Sequence, residues 1–447
     1  MDPQSFWTDL ERRGFVSQTT LAKPAEWLAA QLNGSKPPRL YIGFDPTASS
    51  LHLGSLLPVI GLRRFKQAGF QPIALVGGAT GMIGDPSGKT QERSLLDSAR
   101  LAENVAGIGA QLERLLEGKI GEDFLLLDNA DWFRPITFID FLRDVGKHFT
   151  VNVMMAKESV RARLEDRDHG ISYTEFSYML LQAYDFLHLY ETQGCQLQAG
   201  GSDQWGNITA GIDLVGRKHS GVHAQGITFP LLVTAAGAKF GKSEKGAIWL
   251  DGERTHPYFL YKYLFDVADA DVVRLLKYFS FRPWEEIVEL ETQTAAAPQL
   301  RAAQLALALD VATLVHGPKI AAACEGIERA MHSDDERGFE SHADALGLLA
   351  PPSAATEDAA ELPVAHRPKS ALAAEGIAIA DLAVELGLFK SKGEVKREIA
   401  SGGGFYVGGE RVKELDQRLR AEDLADKRIV QFRKGKKNKW MVCFYDA

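Results

Sequence analysis

The chain has 447 residues, which is more than one small domain needs, since a domain usually takes roughly 150 residues. Hydrophobic residues make up 45% of it and charged residues 25%, which excludes a mostly disordered or collagen-like protein. No apolar run reaches the length of a membrane-spanning helix, and the acidic N-terminal stretch MDPQSFWTDLERRG does not resemble a signal peptide. We therefore expect a cytoplasmic protein with no membrane partner.

The cysteines indicate the cellular compartment, and the charge distribution indicates the kind of partner. Cys195, Cys324 and Cys443 are far apart, which suits a reducing compartment and gives neither a disulfide framework nor a zinc site. The net charge of −8 is uneven, because the segment from Lys369 onwards has 16 basic and 12 acidic residues. An acidic body with a basic appendage favours contact with nucleic acid, although many basic tails are merely solvated.

Strand-like apolar runs alternate with helical patterns from about residue 38 to 235. The predicted strands are Arg39–Phe44, Gln71–Val76, Phe124–Leu127 and Gln196–Gln198, and the predicted helices between them include Leu56–Ala68 and Arg100–Leu116. This alternation indicates the α/β class, with a parallel sheet covered by helices on both faces. Ligands of such sheets bind beyond the carboxyl ends of the strands.

The pattern becomes mainly helical after about residue 255. The predicted helices there are Pro257–Phe265, Ala270–Phe279, Trp284–Glu291 and Gln299–Val315. Residues 334–369 are rich in acids, alanine and proline, so we predict a flexible or partly ordered linker. The chain after it has a small core of its own, formed by Leu382, Leu386, Val395, Ile399, Val407, Val412, Val430 and Phe432.

Two glycine-containing turns follow the first two predicted strands. In YIGFDPTASSLHLGS (41–55) a helix begins near His52, and its free N–H groups favour phosphate, while Gly54 permits close approach. GGATGMIGDPSGKT (77–90) is not a P-loop, because Ile83 replaces a required glycine, nor a GxGxxG motif, because of Ala79. Taken alone, each turn could be purely structural.

Polar residues also share one face of a predicted helix, Thr174–Tyr190. Tyr178, Gln182 and Asp185 fall at i, i+4 and i+7 among apolar neighbours. Buried polar groups are costly unless paired, so this stripe could line a pocket for a small zwitterion. The same pattern also fits an ordinary amphipathic helix that faces solvent.

Two later segments could contact a nucleotide. In AGGSDQWGNI (199–208) the residues Asp203 and Gln204 follow a short strand, where a carboxylate can hold a ribose. In AAGAKFGKSEKG (235–246) the residues Lys239 and Lys242 lie in a loop that can close over a polyphosphate. A plain aspartate-containing turn and a solvated basic loop remain the alternatives.

In this order the segments resemble the bacterial tyrosyl-tRNA synthetases, members of the class I aminoacyl-tRNA synthetases. HLGS at 52–55 and KFGKS at 239–243 resemble the two class signatures, and GFDPTASSLH, GGATGMIGDPSGK, YTEFSYMLLQAYDF and GGSDQWGNI resemble blocks of the tyrosine enzymes. SKGEVKREIASGGGFYVGGERV resembles the S4 RNA-binding motif. The resemblance runs over the whole chain. It implies a Rossmann-like nucleotide-binding catalytic domain at 1–235, a helical domain at 236–333 that starts with the KFGKS loop, a linker at 334–369 and an α+β S4-like RNA-binding domain at 370–447.

The activity that this resemblance implies is that of a tyrosine–tRNA ligase. It would activate L-tyrosine with ATP to tyrosyl-adenylate and pyrophosphate, and then pass the tyrosyl group to the 3′ end of tRNA(Tyr). Magnesium would accompany the ATP, and the protein would be a homodimer. The sequence offers no protein-only cage for the metal.

The resemblance also implies roles for individual residues. The tyrosine site would consist of Tyr41 and Asp185 at the phenol, Asp85, Tyr178 and Gln182 at the ammonium, and Gln204 near the carboxylate. The catalytic residues around the phosphates of ATP would be Thr47, His52, Lys89, Arg93, Lys239 and Lys242. Further contacts to ATP would come from Gly43, Asp45, Gly54 and, at the ribose, Asp203. RNA would contact Lys390, Lys392, Lys396, Arg397, Lys436 and Lys437.

The sequence departs from the family pattern at four places. Ile42 and Pro58 stand where some relatives have side-chain hydrogen-bond groups near the ribose, and neither can supply one. Ser55 ends the first signature, where many relatives have histidine, which puts its share in ATP binding in doubt. Gly408 stands where asparagine is more usual in the S4 motif. Three alternatives stay open: a synthetase for another amino acid, a non-catalytic RNA-binding protein derived from this fold, and a small-molecule adenylyltransferase. Intact His52, Lys239 and Lys242 argue against the second, and the basic C-terminal region argues against the third.

Overall fold

The computed structural model describes residues 2–85, 98–157, 160–161, 171–243, 246–331, 336–347, 364–373, 375–424, 427–435 and 438–446. Four predicted site residues, Lys89, Arg93, Lys436 and Lys437, lie outside these ranges. The chain divides into two compact units. Unit 1 contains Met1–Ile248 and Ala270–Thr292, and unit 2 contains Trp249–Asp269 and Gln293–Ala447. A search of the described helices finds none with the length and apolarity that crossing a membrane requires.

A six-stranded sheet forms the centre of unit 1. Its strands are β1 (Gln18–Thr19), β2 (Arg39–Phe44), β3 (Gln71–Val76), β4 (Leu125–Asp128), β5 (Leu197–Gly201) and β6 (Gln225–Phe229), in the order β1-β6-β5-β2-β3-β4. Every neighbouring pair is parallel except β1 with β6. The predicted α/β class with a parallel sheet is therefore confirmed.

The strands differ from the prediction at the end of β5 and in two additional strands. The strand predicted at Gln196–Gln198 continues to Gly201, because Gly200 and Gly201 pair with Thr228 and Phe229 of β6, although glycine is uncommon inside strands. β1 and β6 were not predicted.

Helices cover the sheet of unit 1. Their bounds are Pro3–Arg12, Pro24–Leu32, Leu56–Gln67, Thr80–Ile83, Ser98–Leu116, Ala130–Phe133, Phe138–Asp144, Val151–Met155, Tyr173–Gln193, Trp205–Lys218, Asp269–Phe279 and Trp284–Ala296, with short 3₁₀ turns at Leu53–Ser55, Gly146–His148 and Ser202–Gln204. The last two α-helices extend past the limits of unit 1 by a few residues.

The longest of these helices, Tyr173–Gln193, has strong end signals. At its start the side chain of Ser172 accepts from the backbone of Glu175, and the Glu175 carboxylate accepts from the backbone of Ser172. At its end Gly194 adopts a left-handed conformation with φ 62°, which a glycine adopts without strain. The helix contains the polar stripe Tyr178, Gln182 and Asp185, and it exceeds the predicted range 174–190 by one residue at its start and three at its end.

Unit 2 begins with helices that pack around a buried carboxylate. They are Pro257–Phe265, Ala302–His316, Pro318–Met331 and Glu336–Ala345, with a 3₁₀ turn at Pro298–Leu300. The Tyr258 hydroxyl donates to Glu328 at 2.7 Å, and Lys262 Nζ donates to its other oxygen at 3.0 Å. These bonds offset the desolvation of Glu328. The helix predicted from residue 299 begins only at Ala302, because Arg301 before it is left-handed with φ 52°.

The C-terminal part of unit 2 contains a five-stranded sheet and short helices. Its strands, in the order β12-β11-β14-β15-β9, are β9 (Val364–Pro368), β11 (Phe405–Val407), β12 (Glu410–Arg411), β14 (Ile429–Lys434) and β15 (Asn438–Tyr445). Two small pairs, β7 (Lys242–Ser243) with β8 (Gly246–Ala247) in unit 1 and β10 (Ile377–Ala378) with β13 (Arg418–Leu419) here, complete the strands. The helices are Ile379–Glu385, Lys392–Ala400 and Ala421–Leu424, with a 3₁₀ turn at Lys369–Leu372.

The core of this part contains the residues that the sequence indicated. Seven of the eight predicted core residues are buried in it, and Ile399 packs against them partly buried. Gly408 has φ 57°, a left-handed conformation that asparagine also adopts, so the departure from the family pattern preserves the turn. Helix Glu336–Ala345 and β9 lie within the segment predicted as a linker.

Candidate active site

A cavity of about 350 Å³ opens at the carboxyl ends of β2, β3 and β5. All of the predicted tyrosine-site residues line it, together with most of the predicted ATP-site residues. These residues are Tyr41, Gly43, Asp45, Thr47, His52, Gly54, Asp85, Tyr178, Gln182, Asp185, Asp203 and Gln204. The edge of a parallel sheet at which strand order changes is the expected ligand site in this fold class.

At one end of the cavity a carboxylate and a phenol are buried together. Asp185 is only 2% exposed and Tyr41 only 1%. The Tyr41 hydroxyl has no hydrogen-bond partner, although burying a polar group without one is costly. An unpartnered donor in a cavity wall is satisfied when a ligand oxygen meets it. This end therefore fits a ligand that both accepts from a hydroxyl and donates to a carboxylate.

Two side chains that were not predicted from the sequence donate hydrogen bonds to the Asp185 carboxylate. Trp132 Nε1 donates to Oδ1 at 2.9 Å, and Asn129 Nδ2 donates to Oδ2 at 3.1 Å. Asn129 also bonds the Thr80 hydroxyl at 2.9 Å, and the Trp132 ring stacks on His188. The available signal was position: Asn129 and Trp132 directly follow β4, at the edge where ligands bind.

The protonation of this end is set by burial. Desolvation raises the pKa of Asp185 to about 7, Asn129 and Trp132 oppose that rise by donating to the ionised form, and Asp128 adds to it. Burial, followed by the charge of Asp185, raises the pKa of Tyr41 well above its ordinary value. Tyr41 thus stays a neutral donor while Asp185 titrates near neutral pH.

The middle of the cavity is an amide network beside carboxylates. Gln204 Nε2 donates to Asp85 at 2.7 Å, and Asn207 Nδ2 donates to Gln182 at 3.0 Å and to Gln204 at 3.2 Å. Burial raises the pKa of Tyr178 well above its usual value, and the charges of Asp45, Asp85 and Asp185 raise it further. Such a negative surrounding favours a cationic group. Asn207, like Asn129, was not predicted from the sequence.

The turn HLGS borders the other end of the cavity. The Ser55 hydroxyl lies 3.4 Å from His52 Nδ1. A Cβ on Gly54 would lie 2.9 Å from the His52 ring, so any other residue there would force the imidazole to move. Burial lowers the pKa of His52, and the positive charge of Lys242 lowers it further. The imidazole is therefore neutral at pH 7 and can act as a hydrogen-bond donor.

The lysine loop is tied to this turn through the backbone. Leu53 N–H donates to the Ile248 carbonyl at 2.8 Å, and Ile248 N–H donates to the Gly241 carbonyl at 3.0 Å. Lys239 and Lys242 are exposed and stand outside the cavity lining. Their charges nevertheless affect two residues of the cavity. Lys242 lowers the pKa of His52. Burial and the charge of Asp85 raise the pKa of Asp203, and Lys239 opposes that rise.

The predicted RNA-binding residues that the structure describes lie at and just before helix Lys392–Ala400 in unit 2. Lys390, Lys392, Lys396 and Arg397 are all exposed. Lys392 pairs with Asp381, whereas Arg397 makes one long bond to a backbone carbonyl in its own helix. No trio of His, Cys, Asp or Glu side chains among the described ranges is placed to hold a metal ion.

Comparisons with known proteins match most of the chain. The family model "tRNA synthetases class I (W and Y)" matches residues 33–332, and the model "Tyrosine--tRNA ligase SYY-like C-terminal domain" matches residues 360–442. The chain is 47% identical to the tyrosine–tRNA ligase of Opitutus terrae over 436 residues, which is 97% of this chain and 98% of that one. It is 46% identical to the tyrosine–tRNA ligase of Geobacillus kaustophilus over 437 residues, with the same coverage.

A solved structure also has a similar fold. The C-terminally truncated mitochondrial tyrosyl-tRNA synthetase of Aspergillus nidulans has a TM-score of 0.63 and 32% identity, and the match covers 73% of this chain and 94% of that one.

Proposed function

The chain belongs to the tyrosine–tRNA ligases of class I, and we propose that the two ends of its cavity bind the two substrates of the activation step. The enzyme activates L-tyrosine with ATP to tyrosyl-adenylate and pyrophosphate, and transfers the tyrosyl group to the 3′ end of tRNA(Tyr). The observation that carries the site assignment is the unpartnered Tyr41 hydroxyl buried beside Asp185.

Tyrosine lies with its phenol at this buried end. Its oxygen accepts from Tyr41 and its hydroxyl hydrogen is donated to Asp185, so both buried groups are satisfied. Phenylalanine would leave both unpaired, which disfavours it strongly. The ammonium lies near Asp85, Tyr178 and Gln182, and the negative surrounding of Tyr178 supports this. Gln204, bonded to Asp85, lies near the carboxylate.

ATP lies at the HLGS end. Asp203 holds the ribose, Gly43, Asp45 and Gly54 contact the nucleotide, and a set of polar residues surrounds the phosphates. That set is Thr47, His52, Lys239 and Lys242, with Lys89 and Arg93 from outside the described ranges. Gly43 supports close approach, because no heavy atom lies within 4 Å of the position where a Cβ would stand. Magnesium enters with the phosphates as part of the substrate.

The activation step needs positioning and charge neutralisation. The tyrosine carboxylate oxygen attacks the α-phosphorus of ATP, a new C–O–P bond forms, and the bond from the α-phosphorus to the bridging oxygen breaks. The electron pair leaves with pyrophosphate. Because the attacking carboxylate is already an anion, no general base is required, and His52 and the lysines stabilise the developing charge.

Pyrophosphate exchange into ATP, measured without tRNA across the twenty amino acids, tests this function. We expect exchange with tyrosine only. Exchange with another amino acid would keep the mechanism and overturn the assignment of the phenol end. Absence of exchange from folded protein would favour the non-catalytic RNA-binding alternative.

We also retain the predicted domain boundaries as a proposal: a catalytic domain at 1–235, a helical domain at 236–333, a linker at 334–369 and an S4-like domain at 370–447. The buried free thiols of Cys195, Cys324 and Cys443 support a reducing, cytoplasmic compartment.

Neutralising the exposed lysines of the S4-like domain is expected to weaken tRNA charging alone. The variant Lys390→Ala with Lys396→Ala should raise the KM for tRNA and reduce the slope of log affinity against log salt by about 2, since each phosphate contact contributes about 1. Steady-state aminoacylation at several salt concentrations measures this. Tyrosine-dependent exchange should stay unchanged, and Lys413→Ala, an exposed lysine in the same domain, is the control. An unaltered KM and salt slope would exclude these lysines as phosphate contacts.

An apolar surface supports a homodimer. Two consecutive short helices, Phe138–Asp144 and Val151–Met155, expose the apolar side chains Phe138, Ile139, Leu142, Val151, Val153 and Met155. Exposed apolar clusters of this kind mark interfaces. Ile139→Glu should shift the protein from dimer to monomer in sedimentation experiments, because a charge would be buried unpaired. Val288→Glu, at another exposed apolar position, should have no effect. A dimer that persists in Ile139→Glu would place the interface elsewhere.

A further inference from the structure

The loop that contains Lys239 and Lys242 has a hydrogen-bonded stem. Residues 232–240 form a tight hairpin in which Phe240 N–H donates to the Leu232 carbonyl at 2.9 Å, and Val233 pairs with Lys239 in an antiparallel bridge. The turn is closed by Thr234 N–H to the Ala238 carbonyl at 2.8 Å. The Phe240 ring is buried, with its centroid 6.2 Å from that of Phe279. Lys239 is therefore part of an ordered hairpin, and Lys242 follows it by three residues.

Two charged side chains from helix Asp269–Phe279 grip this stem. The backbone N–H of Ala235 donates to both carboxylate oxygens of Asp271, at 2.9 and 3.0 Å. Arg274 donates to the Val233 carbonyl and to Asp271, each at 2.5 Å. Asp271 is 8% exposed and Arg274 39% exposed. All of these residues belong to unit 1.

The direction of the Asp271 side chain matters. A carboxylate in the first turn of a helix is favourable because of the helix dipole. The Asp271 carboxylate accepts hydrogen bonds from a hairpin 36 residues away in the chain. The side chain is buried in this position. Burial of a charge is costly unless it is fully paired, so the hairpin and Arg274 are the partners that make it tolerable.

We propose that Asp271 and Arg274 are positioning residues for adenylate formation. By fixing Val233 and Ala235 they set the place of the hairpin, and through it the place of Lys239 and Lys242 relative to the phosphates of ATP. The inference rests on the proposed role of the two lysines. Displacement of a catalytic group by about 1 Å can cost up to about a hundredfold in rate, so a loosened stem has a kinetic cost.

The test uses Asp271→Asn and Arg274→Gln in the full chain. The amide of Asp271→Asn has one oxygen for Ala235 and no charge for Arg274, and Arg274→Gln changes a partly exposed side chain that folding should tolerate. Single-turnover adenylate formation should slow about ten- to a hundredfold in both variants. The dissociation constant of tyrosine should be unchanged, a division that a general loss of structure would not give. Glu286→Gln is the control, because it breaks only the exposed pair with Arg282 in the same part of unit 1.

Combining Asp271→Asn with Lys242→Ala distinguishes failure of this inference from failure of the proposed role of Lys242. If Asp271 acts through the lysine loop, then adding Asp271→Asn to Lys242→Ala should slow the reaction less than it slows the wild type. Full rate in Asp271→Asn and Arg274→Gln, with Lys242→Ala slow, would overturn this inference alone. Full rate in Lys242→Ala would overturn the proposed role of the lysine. Equal loss of tyrosine affinity and rate would reduce Asp271 to a structural residue.

Discussion

Replacement of Lys242 by alanine is expected to slow tyrosyl-adenylate formation about 100- to 1,000-fold while leaving tyrosine affinity intact. The ammonium acts at the rim of the cavity beside His52, where negative charge accumulates on the phosphates as pyrophosphate leaves. Loss of one such stabilising donor typically has a cost of this size. The phenol end of the cavity does not involve Lys242, so ground-state tyrosine binding should be kept. Rapid-mixing experiments measure the rate of adenylate formation, and equilibrium titration measures the affinity for tyrosine.

The matched control for Lys242 is Lys23→Ala, which removes an exposed lysine paired with Glu26. It should leave both quantities unchanged. A Lys242→Ala enzyme that loses tyrosine affinity and rate in equal measure would contradict a role on the phosphates.

Replacement of Asp185 by asparagine is expected to lower kcat/KM for tyrosine by on the order of 100-fold, since a buried hydrogen bond to a charged group contributes about 3 kcal/mol. The amide keeps the size of the side chain but loses the anionic acceptor. Its nitrogen or oxygen must also face the two donors of Trp132 and Asn129, which fit only acceptors. Steady-state exchange at varied tyrosine gives the value. Leucine at this position should be worse, and unchanged activity of either variant would favour a synthetase for another amino acid.

The same residue gives the wild-type enzyme a pH signature. The pKa of Asp185 is raised to about 7, so the carboxylate that accepts from tyrosine is present above pH 7 and is lost as pH falls below it. Tyrosine affinity should therefore fall from pH 8 to pH 6 in the wild type and be flat in Asp185→Asn. Asn129→Ala removes a donor to the ionised form and should move the midpoint to higher pH.

The parts of the fold that depend on local pattern could be predicted from sequence. β2 and β3 are buried apolar runs, and helix Tyr173–Gln193 has a polar stripe at helical spacing, so in both cases the local pattern agreed with the structure. The strand β1 is only two residues long and forms by pairing with β6, which is distant in sequence. No local sequence pattern indicates such a contact. Resemblance to a family supplied the identity of the substrate, which spacing alone left open.

The residues behind the site were harder to find. Asn129 and Trp132 matter because the sheet brings them to Asp185, more than 50 residues away in sequence. Asp271 matters because its helix packs against a hairpin that precedes it by 36 residues. Such contacts carry no periodicity, so a single sequence cannot indicate them.

The close approach of Gly241 to the HLGS turn has a consequence for how this protein can change over evolutionary time. A Cβ on Gly241, which has φ 84°, would lie 3.0 Å from the backbone nitrogen of Gly54 and 3.3 Å from Leu53 Cβ. Gly54 in turn leaves no room for a Cβ beside the His52 ring. A side chain at Gly241 would therefore require the backbone of the HLGS turn to move. Substitution at Gly241 is thus restricted by a turn almost 190 residues away in sequence, through shape as well as through chemistry.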